Sequence, residues 1–172
     1  MKIRVSNRQR RVAFRRGLAL RLARFFMQRA ARVNPRIQWG DVSLVLVDDS
    51  VMLQVNQQFL GRDATTDVIS FRYASVPGER LDQSSGEVIV NAQEAQRYEL
   101  RRGGAICELA LYMAHGCNHL TGAEDDSPAK RRRMRQRELR WLRQARALGL
   151  LPDADRSSKP DSRTGQRGHH PS

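Results

Sequence analysis

The run Val42-Ser43-Leu44-Val45-Leu46-Val47 is apolar and valine-rich but for one serine. Such a run reads as a buried strand, because β-branched side chains pack well on a pleated surface. Ile3 and Val5 alternate with polar neighbours, which predicts a short half-buried strand. Val68-Ile69-Ser70-Phe71 and Val88-Ile89-Val90 supply two more strands, and the Pro, Gly, Asp and Ser of residues 76–85 read as the loop between them. Around these runs the apolar spacing turns helical. Val12, Phe14, Leu18, Leu22, Phe25 and Phe26 predict an amphipathic helix from about Gln9 to Val33, ended at Asn34-Pro35. Asp48, Asp49 and Ser50 are N-cap candidates for a short helix through about Phe59. A helix from Ala92 to about Leu100 breaks at Gly103-Gly104, and a largely apolar one follows from Ala105 to about Leu120. The last helix starts near Ser127-Pro128 and runs to about Leu148.

The order β-α-β-α-β-β-α-α-α predicts an α+β domain with a small central mixed sheet, not a regular βαβ alternation. Its 172 residues suit one domain, taken as residues 1–150. Residues 151–172 have almost nothing apolar to bury and read as a disordered basic tail, in which His169 and His170 have no specific role. No stretch approaches the roughly 18 apolar residues that a membrane-spanning helix requires. Two cysteines, Cys107 and Cys117, cannot build a disulfide framework, which points to a reducing cytoplasm.

The formal net charge is +13, from 31 Lys and Arg against 18 Asp and Glu. Residues 1–40 carry 12 basic side chains and no acidic one, whereas residues 41–129 carry 6 basic and 14 acidic. Residues 130–172 carry 13 basic and 4 acidic. Two basic ends thus flank an acidic centre, and surfaces of that kind attract phosphate backbones. Solvated arginine-rich helices account for the same composition equally well. The acid-free N-terminus also has the composition of a transit peptide or a membrane-surface helix, readings ranked lower because a strand precedes the helix.

Chemistry-bearing residues concentrate between His115 and Asp126. His115 and His119 are four apart on a predicted helix, so both imidazoles project from one face. Gly122 lets the chain curl back, and Glu124, Asp125 and Asp126 each offer a carboxylate as a third ligand. Three protein ligands leave a fourth position for water, the arrangement of a catalytic rather than a structural zinc. Gly116 follows His115 where a zinc protease of the HExxH kind has its general base, which argues against peptide hydrolysis. Cys117 lies off the histidine face and reads as a small buried residue.

His115, Gly116, His119, Leu120 and Gly122 fit the pattern H-G-x-L-H-L-x-G-x-D-H, and here the chain resembles the YbeY family of bacterial endoribonucleases. Asn7-Arg8-Gln9 resembles that family's N-terminal Asn-Arg-Gln. Val55-Asn56 through Phe59, then Asp63 and Thr66-Asp67-Val68-Ile69-Ser70-Phe71, resemble its L-N…K-D-x-P-T-D-V-L-S-F block. Gly86-Glu87-Val88-Ile89-Val90 resembles its G-D-I-V-I strand, so the likeness spans about residues 2–145 in order. The resemblance implies a small α+β sheet under a metal-bearing helix, and one ion, usually zinc, on three histidines. It also implies cleavage of single-stranded RNA, with roles in ribosomal RNA maturation and ribosome quality control, hence the ribosome as partner.

Two departures bear on the site. The third metal position falls on Asp125, with Glu124 where the family has Asp and Asp126 as a rival ligand. A carboxylate is a competent zinc ligand but shifts preference toward harder divalent ions. The family's arginine three residues before the Asp of its K-D pair falls on Leu60, which leaves Arg62, at the lysine position, as the nearby cation. Asn118 for Leu and Thr65 for Pro are smaller departures. On this reading His115, His119 and Asp125 hold the metal, Glu124 shuttles a proton, and Arg62 contacts RNA. Glu124 serves equally as a hydrogen-bond partner of a ligand. Thr66-Asp67 and Ser70 line the cleft, or else form a turn and a strand cap. The alternative function is a ribosome- or rRNA-binding factor of the same fold with weak or no cleavage, favoured by Leu60 and Asp125. A metallohydrolase of another substrate is disfavoured by Gly116 and the arginine excess.

Overall fold

A computed structural model describes residues 1–74, 83–98 and 103–152 of the chain. The elements follow in the expected order: β1 (Lys2–Asn7), α1 (Arg16–Val33), β2 (Trp39–Val47), α2 (Asp49–Leu60), β3 (Val68–Tyr73), β4 (Ser84–Asn91), α3 (Ala92–Arg97), α4 (Ala105–Leu120) and α5 (Pro128–Ala147). The strands form one sheet in the order β1-β2-β4-β3. β1, β2 and β4 run parallel, while β3 pairs antiparallel with β4 at one edge. This is the mixed α+β sheet that the pattern predicts.

β2 is interior, and its two faces are buried by different layers. Val42, Leu44 and Leu46 join the main core with α1, α4 and α5, whereas Val45 and Val47 pack with Met52 beneath α2. That two-sided burial is why the run lacks polar alternation. α2 is capped where expected, since the Asp48 side chain accepts from Val51 N, and it ends at Gly61 in the left-handed region. Ser127 caps α5 in the same way by accepting from Lys130 N.

Several boundaries differ from the sequence expectation: β2 already begins at Trp39, and β4 at Ser84, within the expected 76–85 loop. α1 begins at Arg16 rather than Gln9. The buried Gln9 side chain accepts from the backbone N–H of Arg11 at 2.6 Å and of Val12 at 2.9 Å. It thereby takes donors that a helix would need and closes an irregular turn. Val12 and Phe14 still reach the main core, from an irregular segment rather than a helical face. At the other end Leu151, assigned to the tail, is buried in that core. The rest of the tail, His169 and His170 included, most of the 76–85 loop and the end of the helix predicted to reach Leu100 lie outside the described residues. Cys107 and Cys117 are free thiols and buried. Among the described residues no helix is long and apolar enough to cross a membrane.

Candidate metal centre

α4 can lie flat on the sheet because residue 116 is glycine. A Cβ there would come within 2.4 Å of Val88 Cγ1 and 2.8 Å of Val68 Cγ2. The Ser70 hydroxyl donates to the Gly116 carbonyl at 3.0 Å and pins the strand to the helix. With one face fixed in this way, His115 and His119 stand on the helix flank, half-buried. After Leu120 the chain reverses at Gly122, whose φ of 83° is in the left-handed region. The reversal returns Asp125 to the two histidines.

The three side chains converge. His115 Nε2 and His119 Nε2 are 3.1 Å apart, and Asp125 Oδ2 lies 3.9 Å from the first and 3.8 Å from the second. Donor atoms of this trio all fall within 4.8 Å of one another, the spacing of a group that can hold a metal ion. The outer nitrogens fix the tautomers. His119 Nδ1 lies 3.0 Å from the Ala123 carbonyl oxygen, which can only accept, so Nδ1 carries the proton. His115 Nδ1 lies 2.7 Å from Glu138 Oε1 and donates to it. Each neutral imidazole therefore aims an Nε2 lone pair at the other, which is repulsive unless a proton or a cation lies between them. Two nitrogens at about 2.0–2.1 Å from a tetrahedral zinc would be roughly 3.4 Å apart, so the donor set fits such an ion.

Glu138, on α5, is the residue that the sequence reading passed over. It is buried, and besides His115 Nδ1 it accepts from Asn118 Nδ2 at 3.2 Å. Asn118 in turn accepts from Arg137 at 2.7 Å, so the Asn at a family Leu position supports Glu138. Burial alone would lower the His115 pKa, but the hydrogen bond and charge of Glu138 outweigh it and hold the imidazole above its ordinary value. One signal for Glu138 stood in the sequence: it is the sole acid among the nine cations of residues 130–148.

His115 and Asp125 open onto a cavity of about 320 Å³ whose lining includes Asp67, Tyr112 and Glu138. Asp67 Oδ1 accepts from the Thr66 hydroxyl at 3.0 Å and from Val68 N at 2.9 Å, so cleft wall and strand cap coincide at Asp67, whereas Thr66 and Ser70 are not in the lining of this cavity. Glu124 and Asp126 do not line it; both pair with Lys130 Nζ. Of the three neighbouring carboxylates, only Asp125 joins the donor group. Arg62 follows the αL cap of α2, is exposed, and also lies outside this lining, as does the half-exposed Leu60.

Residues 4–146 match the family model described as Endoribonuclease YbeY. The chain belongs to the YbeY family. An Endoribonuclease YbeY of Anaeromyxobacter sp. (strain Fw109-5) is 36% identical over 122 residues, 70% of this chain and 61% of that protein. One from Pelotomaculum thermopropionicum is 35% identical over 144 residues, 80% of this chain and 93% of the relative. The chain spans 61% and 64% of the length of the two Anaeromyxobacter relatives it matches. A Thermotoga maritima protein solved in solution has a similar fold, with a TM-score of 0.54 at 20% identity, covering 91% of this chain and 99% of that one. Within the YbeY pattern, Gly116 and Gly122 thus have physical duties here: one lets α4 meet the sheet, the other returns Asp125.

Proposed function

We propose that this chain is a metal-dependent endoribonuclease of the cytoplasm that cuts single-stranded RNA, ribosomal RNA in particular. Its place is in ribosomal RNA maturation and ribosome quality control. The observation that carries this reading is the convergence of His115, His119 and Asp125 into one donor group, of which His115 and Asp125 open onto the cavity, in a chain of the YbeY family. Two imidazoles and one carboxylate with an open fourth position suit a single zinc ion, and the carboxylate also admits harder divalent ions. Such an ion, when bound, supplies Lewis acidity and a water acidic enough to react near neutral pH.

The protein's own groups do the rest. Glu138 orients His115 and keeps its Nε2 lone pair directed at the donor cluster. Asp67 faces the same cavity and is better placed than Glu124 to take up a proton there. The arginine-rich α1 and α5 face the RNA backbone. Metal analysis and cleavage of single-stranded RNA, on wild type and His119→Ala, test the reading. One divalent ion per chain and metal-dependent cleavage are expected for the wild type, with both lost in the variant. Metal binding without cleavage would favour the rRNA-binding factor instead, a reading supported by the uncharged Leu60. Absence of metal binding at micromolar concentrations would remove the site assignment.

A further inference from the structure

The metal donors need a counterpart that holds the RNA, and one face of α5 is built for it. α5 turns Arg131, Met134, Arg135 and Glu138 into the cavity that holds His115 and Asp125. Their spacing is that of a single helical face. Met134 and Glu138 are buried and anchor that face, Arg135 is half-buried beside them, and Arg132 and Arg133 are exposed. Arg131 donates to the Asp125 carbonyl oxygen at 2.8 Å, which sets its guanidinium beside a metal donor and leaves further N–H groups for another acceptor. Arg135 also borders an adjoining cavity of about 480 Å³ that shares Asp67, Leu111 and Tyr112 with the first.

The charges in the lining leave a vacancy of one sign. Asp67, Asp125 and Glu138 are opposed by Arg131 and Arg135, so a divalent ion on the donors leaves one positive charge among these groups. A phosphodiester carries one negative charge, and a guanidinium presents paired donors that match two phosphate oxygens. We propose that Arg131 and Arg135 form the binding site for the phosphodiester of the RNA strand beside the metal donors. The assignment rests on the ribonuclease reading and gives its substrate an attachment point that Arg62, outside the lining, does not supply.

The probe is a 2′-O-methylated dinucleoside monophosphate, which offers a single phosphodiester and no attacking 2′-hydroxyl. Its affinity for the full-length, zinc-loaded protein is measured by NMR titration or calorimetry. Arg131→Gln/Arg135→Gln should weaken binding at least about tenfold, the size expected for losing charge-assisted hydrogen bonds. Arg132→Gln/Arg133→Gln, on the outward face, should weaken longer RNA but leave the dinucleotide within about twofold. Arg135→Lys should fall between wild type and the double variant, since it keeps the charge and loses the fork. Thermal melts and metal affinity like those of the wild type show that the variants are folded. Equal loss in the outward pair, unchanged affinity in the cavity pair, or no binding by wild type would overturn the assignment. RNA cleavage separates the two readings. Wild type that binds through these arginines but does not cut would end the ribonuclease reading and keep the site. A double variant that cuts RNA with unchanged kcat/KM would end the site and keep the reading.

Discussion

Glu138 lies 23 residues from His115 in the chain, yet its carboxylate decides the state of that imidazole. Because the folded pKa of His115 is raised, the proton is held more tightly in the metal-free protein than in an unfolded chain. The stabilisation from this pair is complete below the ordinary imidazole value and is lost as pH rises through the raised one. A metal ion competes for the same lone pairs, so metal affinity should climb as pH rises through that raised value. Glu138→Gln removes the charge while keeping an acceptor. It should lower metal affinity about 10- to 100-fold at neutral pH, and its affinity rise should occur at lower pH than in wild type. Competition against a chromophoric chelator over a pH series measures both, and an unmoved profile would sink the role given to Glu138. Cys117, two residues from His115, is different in kind: burial pushes its thiol up to about 12. A thiol-reactive dye at pH 8 should leave it unlabelled in the native protein and label it only after denaturation.

At the scale of elements, α4 carries the site because it is pressed onto β3 and β4 at one glycine. Gly116→Ala would drive a methyl into Val88 and Val68, an overpacking that costs about 1–3 kcal/mol and moves His115 with the helix. A lowered melting temperature together with weakened metal binding is the expected result. Ser127→Ala removes the α5 cap and should cost about 1 kcal/mol with metal affinity unchanged, since the cap lies outside the cavity. The contrast between the two melts and metal titrations separates seating of the site from simple loss of helix stability. The order of these elements was legible because strand runs and helical spacing are local signals. So was the histidine pair, whose meeting needs only one helical turn. The start of α1 was not, because Val12 and Phe14 keep helical spacing while the Gln9 side chain takes the backbone donors. Glu138 was visible only as an anomaly of composition, since its contact with His115 depends on how α4 and α5 pack.

For the whole molecule, the charge asymmetry becomes a spatial one. α1 and α5 pack against each other, and α5 also packs against α4, which bears the histidines. The buried faces of α1 and α5 include Phe26 and Trp141, while Arg16, Arg21, Arg24, Arg132, Arg133 and Arg140 are exposed. Two segments far apart in sequence therefore contribute adjoining cationic helices, of which α5 borders the metal cavity. A backbone laid on those helices displaces condensed counterions, so affinity must fall with salt. Each phosphate contact on a single strand adds about −0.7 to the slope of log affinity against log salt, so four to six contacts give roughly −3 to −4. Raising salt from about 50 to about 200 mM should then weaken binding of a single-stranded RNA roughly 50- to 300-fold. Fluorescence anisotropy on His119→Ala, with no ion required, measures this term free of cleavage. A slope of about −0.7, that of a single phosphate contact, would mean that the exposed arginines are merely solvated and that the cavity alone holds the RNA.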